Sequence, residues 1–500
     1  MFSENVEVER KSWYILCNRK LLRNIPAGFL LYRSGRMKGG NTVKYLLKNG
    51  TVVSGDLSVR EDVLIDGETI VKTGQNLEEE DAQVIDVSGK LLFPGFIDGH
   101  THFDLEVAGT VTADDFETGT KAAIAGGTTL VIDYASQDKG GHTLKEGLEK
   151  WHKKADGKCS CDYSFHMSIV EWNEETEKEI QNMIDEGITS FKLYMTYPAM
   201  IVNDSDLYKI IKKLNECGCF AGVHCENAGV IDALIAEAKK EGRTGPENHP
   251  LVRPDTMEAE AVHRLLAIAG EAKAPVMIVH LTNRKAFEEV MRARMNGQKV
   301  YAETCPQYLL LDDSVYSRPD FEGAKYVCAP PIRKKEDQDC LWKALANGEI
   351  QTVATDQCSF TMEQKRLGKD DFTKIPGGLP GVQTRGTLLY TYGVRTGKIT
   401  KEQMCGLLSE NAARLYGVYP RKGVIRQGSD ADIVVFDPEK ESVISAKTHL
   451  YNTDNNPYEG FALHGDIEHV FLRGQQVVQD GKVIREKTGT YIKRGKNQLY

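Results

Sequence analysis

Residues 190–226 read SFKLYMTYPAMIVNDSDLYKIIKKLNECGCFAGVHCE. Two short apolar runs, SFKLYM and CFAGVHCE, flank DLYKIIKKLNECG, whose apolar residues recur at helical spacing. Strand, helix, strand in that order is one parallel crossover unit. The alternation continues on both sides. FPGFIDGHTHF (93–103), TTLVIDY (128–134) and DYSFHMSIV (162–170) come before it, and PVMIVHL (275–281), KVYAET (299–304) and TVATDQ (352–357) come after. Amphipathic stretches such as RKAFEEVMRARMNG (284–297) separate them. Eight strands so spaced predict an α/β chain with a (β/α)8 TIM-like barrel over 93–423, an open doubly wound sheet being the competing arrangement.

The flanks read differently. VKYLLKNGTVV (43–53) carries a hairpin signal at Asn49-Gly50, and DVLIDGETIVKTG (62–74) repeats it at Asp66-Gly67. At the far end GSDADIVVFDP (428–438), HVFLRGQQVV (469–478) and VIREKTGTYIKR (483–494) supply further short strands. A small β-sandwich domain is expected from both chain ends, residues 43–92 and 424–490, followed by a tail at 491–500. Residues 1–42, weakly periodic and ending in Arg36-Met37-Lys38-Gly39-Gly40-Asn41, form an extension, with Met37 as an alternative start.

Composition narrows the function. Hydrophobic residues make up 41% and charged residues 27%, an ordinary globular balance that excludes general disorder. A net charge of −9 offers no basic field, so nucleic acid is not an expected partner. No apolar run approaches the ~18 residues that span a bilayer, and Ile25–Tyr32 is too short for a signal core with no cleavage site after it. Eleven cysteines, an odd number that includes the tight pairs Cys159/Cys161 and Cys217/Cys219, suit reduced structural thiols and a cytoplasmic protein.

The polar residues fall where a barrel would use them. His100 and His102 alternate at the end of the first strand and so share a side. Lys192, His224, His280 and Asp356 each sit at or near the C-terminal end of another apolar strand, the ends that converge on the catalytic face. Singly, each has an ordinary reading: a hydrogen-bonded histidine, a snorkelling lysine, an aspartate capping a helix. Jointly, four His, one Lys and one Asp on five strand ends predict a metal site. Imidazoles with a carboxylate suit zinc or a similar divalent ion, with positions left for water and substrate. A lysine ammonium would repel a cation. As a carbamate formed with carbon dioxide it offers two oxygens, enough to bridge two metals ~3.5–4 Å apart.

HTHFDLEVAGTVTADDFETGT (100–120), FKLYMTY (191–197), VHCEN (223–227), RTGPENHPLVRP (243–254), ETCPQYLLLD (303–312), IQTVATDQCSF (350–360) and DFTKIP (371–376) closely resemble the bacterial hydantoinase (D-hydantoinase, phenylhydantoinase) and dihydropyrimidinase branch of the amidohydrolase superfamily. The match runs from Val43 to Arg494. The resemblance implies two divalent metals per subunit, Zn2+ by the donor set, with His100 and His102 on one, His224 and His280 on the other and Asp356 beside the first. Lys192 would be the N6-carboxylated bridge. It implies that a metal-bridging hydroxide opens a cyclic amide to an N-carbamoyl amino acid, with Asp356 as base then acid and Tyr197 donating to the oxyanion. Cys305 and Gly377 match backbone contacts to the substrate ring, and Cys305 is no nucleophile. It also implies a homo-oligomer, tetramer or dimer, with the run from Thr488 to Tyr500 reaching a neighbour. Two departures stand out. Gly377-Gly378 replaces a turn that often holds Asn, which predicts a looser hold on substrate. Leu105-Glu106-Val107 puts a charge where bulky apolar ring substituents would pack. A related ureide ring hydrolase of the allantoinase type, and a non-catalytic assembly protein on the same fold, are the competing functions; the second predicts missing ligands, and none is missing.

Overall fold

The computed structural model describes residues 43–499, so the extension at 1–42, Met37 included, lies outside the described residues. Eight parallel strands form the central sheet: β1 Phe96–Thr101, β2 Thr128–Ser136, β3 Asp162–Ser168, β4 Ser190–Tyr194, β5 Phe220–His224, β6 Val276–Ile278, β7 Val300–Thr304 and β8 Thr352–Val353. Each pairs with the next in sequence. A parallel bridge from Thr101 to Gln357, with His102 N–H donating to the Gln357 carbonyl at 2.8 Å, returns the last strand to the first. The barrel reading holds, and the open sheet is set aside.

Helices follow the strands and start sharply. Asn203, Asn227 and Asn283 cap the helices Asp204–Glu216, Ala228–Lys240 and Arg284–Met295, each side chain accepting from a backbone N–H three residues on. Caps placed so soon after β4, β5 and β6 keep the connections short, and short connections hold the strand-end side chains over the barrel mouth.

The floor is plugged. Ile97, Leu130, Ile132, Phe220, Met277 and Tyr301 point inward and pack on Tyr416. A Cβ at Gly99 would lie 2.4 Å from the Tyr416 ring, which is why glycine separates Asp98 from His100. Ile492 and Leu499 close the same cluster from below. The described part of the C-terminal run is thus laid on its own barrel: Tyr491 bridges to Tyr163, Arg494 donates to Ser164 Oγ (2.9 Å) and Ser190 Oγ (2.8 Å), and Tyr301 Oη donates to the Leu499 carbonyl (2.8 Å).

Both chain ends build the second domain. A seven-stranded sheet runs Lys482–Val483, Gln475–Gln479, Ala462–Leu472, Ile433–Val443, Leu91–Pro94, Thr51–Val53, Ser58–Arg60, and a four-stranded sheet runs Thr69–Gly74, Asp62–Asp66, Lys44–Lys48, Ala82–Asp86. Leu47, Val63, Ile65, Leu92, Val435 and Phe471 pack between them.

Three sequence expectations change here. Asn49-Gly50 is not a hairpin: Lys44–Lys48 pairs in one sheet and Thr51–Val53 in the other, so the chain turns a corner between sheets. Asn49 adopts φ 68°, and Asp62 and Asp86 accept from its backbone and side-chain N–H groups, which fixes the corner. Asp66-Gly67 does turn a hairpin, with Asp66 opposite Thr69. In 483–494 only Val483 is in a strand, because Thr488 and Thr490 instead bond to Ser160 and Asp162 at the barrel floor. Finally, Leu91–Pro94 belongs to the sandwich, so the crossing into the barrel falls at Gly95, where a Cβ would lie 2.0 Å from Thr129 Oγ1.

Candidate active site

The six chemistry-bearing residues meet at the barrel mouth. His100 lies in β1 and His102 just beyond it, Lys192 in β4, His224 at the end of β5, and His280 and Asp356 in the turns after β6 and β8. Asp356 Oδ1 stands 3.1 Å from both His100 Nε2 and His102 Nε2. Lys192 Nζ is 3.4 Å from His100 Nε2, and the His280 ring lies 4.6 Å from His224 and 5.3 Å from His100. His100, His102 and Asp356 are close enough to share one cation.

Two buried carboxylates that the sequence reading passed over orient these rings. Glu303, at the end of β7, takes His100 Nδ1 at 2.7 Å, leaving Nε2 toward Asp356. Glu226 takes His224 Nε2 at 2.7 Å and is itself bound by Arg253. A carboxylate on the far nitrogen of an imidazole fixes its tautomer and raises its basicity toward a cation. The signal was present in KVYAET and VHCEN, where an acid interrupts an apolar strand end.

The electrostatics are those of a cluster arranged for positive charge. Burial opposes ionisation of Asp356, but His100 and His102 outweigh it and hold its carboxyl well below the usual range. Burial likewise resists the Glu226 anion, which Arg253 and His224 nevertheless bring down to about 2. Burial drives His102, His224 and His280 toward the neutral imidazole, the form that ligates metals. His100 is the exception: burial and Lys192 oppose protonation, and Asp356 with Glu303 overcomes them. Burial brings Lys192 down to about 8 against the pull of Asp356 and Glu303.

Backbone strain collects at the same place. Tyr197, His280 and Asp356 adopt φ of 66°, 39° and 54°. Such left-handed residues cost about 1–3 kcal/mol each. At Tyr197 the turn is held by Met200 and Ile201 N–H donating to its carbonyl at 2.8 Å. It sets the phenol ring 5.2 Å from the His224 ring and 5.6 Å from the Arg253 guanidinium. Burial pushes the Tyr197 pKa up, so its hydroxyl remains a donor.

The cluster lies in a cavity of about 700 Å³ lined further by Tyr197, Trp151, Arg253, Gly377 and Gly378. A hairpin of Glu106–Val107 and Thr110–Val111 overhangs it, turning through Ala108 and Gly109. Glu106 is bound to Lys150 at 3.3 Å, so the charge expected to oppose apolar substituents is met by a rim lysine, and Leu105 and Val107 join the lining. Cys305, expected to meet the ring through its backbone, follows β7 with its side chain fully buried, and Val327, Ala329, Gly377 and Gly378 line the neighbouring cavity wall. Burial raises its thiol pKa well above the ordinary value, in keeping with an inert thiol. The ten described cysteines are all free, and no described helix is long and apolar enough to cross a membrane.

Comparisons place this geometry among known proteins. The amidohydrolase family profile matches residues 91–477. A D-hydantoinase of Geobacillus stearothermophilus is 45% identical over 90% of this chain and 96% of its own. A D-hydantoinase of Streptomyces coelicolor is 44% identical over 89% of this chain and 95% of its own. A solved dihydropyrimidinase from Brevibacillus agri superposes with a TM-score of 0.90 at 44% identity, over 91% of this chain and 99% of its own.

Proposed function

Since this chain belongs to the amidohydrolase family, in its hydantoinase and dihydropyrimidinase branch, we propose that it hydrolyses a dihydropyrimidine or hydantoin ring to an N-carbamoyl amino acid. The observation that carries the reading is the gathering of four histidines, one lysine and one aspartate in a cavity that admits a small ring.

The residues fit a pair of divalent cations, zinc by their chemistry. Among the described residues His280 Nδ1 is buried without a partner, and Asp356 is held anionic between two imidazoles. His100, His102 and Asp356 would hold one ion, His224 and His280 the other, and Lys192 would join them as N6-carboxylysine formed with carbon dioxide. Bound there, the ions supply an acidified water and a polarised carbonyl.

The protein's own groups do the rest. Asp356 accepts a proton from the attacking water and delivers it to the ring nitrogen as the carbon–nitrogen bond breaks, base then acid. Tyr197 Oη donates to the carbonyl oxygen as negative charge develops there. Glu303 and Glu226 keep His100 and His224 in register, and the 106–111 hairpin limits water. The backbone of Gly377 bounds the ring. A cytoplasmic setting suits the free thiols, and a homo-oligomer, dimer or tetramer, is proposed on family grounds.

The deciding experiment assays metal-analysed protein on dihydrouracil, hydantoin, an aryl-hydantoin and allantoin. Release of an N-carbamoyl amino acid from any of the first three is expected. Turnover of allantoin alone would transfer the chain to the ureide hydrolases, and no turnover by the metal-loaded protein would make it a non-catalytic relative. Tyr197→Phe tests the donor separately: kcat should fall about 10²- to 10³-fold with KM nearly unchanged, and an undiminished kcat would remove Tyr197 from the mechanism.

A further inference from the structure

Lys365 is 1% exposed, and no carboxylate pairs with it among the described residues. Burying an ammonium without a counter-ion is costly, and a position where it is done calls for a reason. The three ammonium protons are matched by three backbone carbonyls: Pro376 at 2.7 Å, Val327 at 3.0 Å and Gly378 at 3.0 Å. The Phe360 ring lies 5.5 Å away on another side. These carbonyls come from two separate stretches of chain. Val327, Ala329, Ile375, Gly377 and Gly378 from those stretches line the cavity.

Apart from this lysine the two stretches share one backbone hydrogen bond among the described residues, from Gly378 N–H to the Val327 carbonyl at 2.9 Å. Cys358 ties the turn instead to the loop after β8, its N–H donating to the Leu379 carbonyl at 3.0 Å and its Sγ lying 3.7 Å from the Gly377 carbonyl. Gly378, at φ 149°, has no room for a side chain, since a Cβ would lie 2.2 Å from the Cys358 carbonyl. Gly377 has room, with only the Cys328 backbone at 3.8 Å. Because the peptide is trans and planar, the Gly377 N–H points opposite the Pro376 carbonyl that Lys365 binds. Among the described residues that N–H meets no acceptor.

We infer that Lys365 is a positioning residue for the ring-opening reaction: from behind the cavity wall it ties Val327 to the Pro376–Gly378 turn and fixes where that turn meets the substrate. The looseness expected of two adjacent glycines is thereby removed from outside the glycines. The inference rests on the reading of the cavity as the substrate site. Burial draws the Lys365 pKa down to about 7, and the neighbouring Cys328 and Cys358 resist that shift. Three acceptors around one nitrogen match the protonated form.

The test uses full-length, metal-loaded protein and the best ring from the substrate panel. Lys365→Met removes all three donors at similar volume; Lys365→Gln leaves an amide with two. KM should rise about 10- to 100-fold in the Met protein and less in the Gln protein. In both, kcat should stay within about threefold and metal content should match the parent, because neither the metal cluster nor Tyr197 is touched. A residue that served folding alone would lower the melting temperature and leave KM of the folded protein unchanged. Either variant folded with the parent's KM overturns the inference, as does a loss confined to kcat. Failure of both to fold also overturns it, by making Lys365 a folding residue only. A parent protein inactive on every ring would instead count against the proposed function, so the two failures are told apart.

Discussion

Lys192→Ala is expected to lose most of its bound metal and nearly all of its turnover, at least about three orders of magnitude, while still folding. The side chain is 1% exposed and lies among His100, Tyr134 and Tyr194, with its Nζ 4.7 Å and 5.2 Å from the two phenol rings. An ammonium in that place would repel two dications, and like charge favours the neutral amine. Neutral amine reacts with carbon dioxide, and the resulting carbamate is an anion that cations hold. On the proposed bridging role, deleting it would remove the ligand common to both ions. The fold should persist, because the barrel floor is built by Ile97, Phe220, Tyr301 and Tyr416 and because removing a buried charge relieves a desolvation cost. Lys192→Arg should fail equally, since guanidinium forms no carbamate. Short carboxylic acids in the buffer should restore part of the metal and part of the activity in the Ala protein. Metal content and turnover are to be measured side by side, and an Ala protein equal to the parent in both would overturn the bridging role.

Asp356→Asn should lower kcat about 10³-fold or more and release one of the two ions while sparing the other. The substitution keeps shape and one acceptor oxygen. It abolishes the anion that His100 and His102 face at 3.1 Å, and it cannot carry a proton from water to nitrogen. His224 and His280 do not depend on it, and Glu226 continues to orient His224 at 2.7 Å. Elemental analysis should therefore find about one ion per chain, with the alkaline and acid limbs of the pH–rate profile changed more than substrate affinity. Turnover within about tenfold of the parent would show that the proton moves by another route.

Much of this site was legible beforehand, for a physical reason. In a parallel barrel the strand ends share one face, so polar residues interrupting apolar runs must meet there, and His100, His102, Lys192, His224, His280 and Asp356 do. What escaped was the support behind them. Glu303 and Glu226 drew no notice in the sequence, since only the packed barrel shows which imidazole nitrogen each one takes. Lys365 sits in a polar stretch, MEQKRLGKDD, that reads as a solvated surface. Its burial comes from segments distant in sequence folding over it, which periodicity cannot register. The Asn49-Gly50 corner was misread for a similar reason: the local signal specifies a left-handed residue, and two sheets rather than one decide where the next strand goes.

The seven-stranded sheet carries a last consequence, for how the protein comes into being. Leu91–Pro94 lies between Thr51–Val53 and Ile433–Val443, with Phe93 opposite Val434 and the whole barrel intervening in sequence. During synthesis the first strands leave the ribosome long before their partners exist, so one edge and one apolar face wait open while the barrel is made. Closing so long a loop adds little entropy beyond a shorter one, but pairings this remote slow folding and prolong the exposure of a strand edge that other chains can join. A nascent chain halted between Asp356 and the 430s holds every proposed metal ligand yet keeps that edge unpaired. The sheet that takes no part in chemistry therefore decides whether an incomplete copy persists as a folded enzyme or is lost to aggregation.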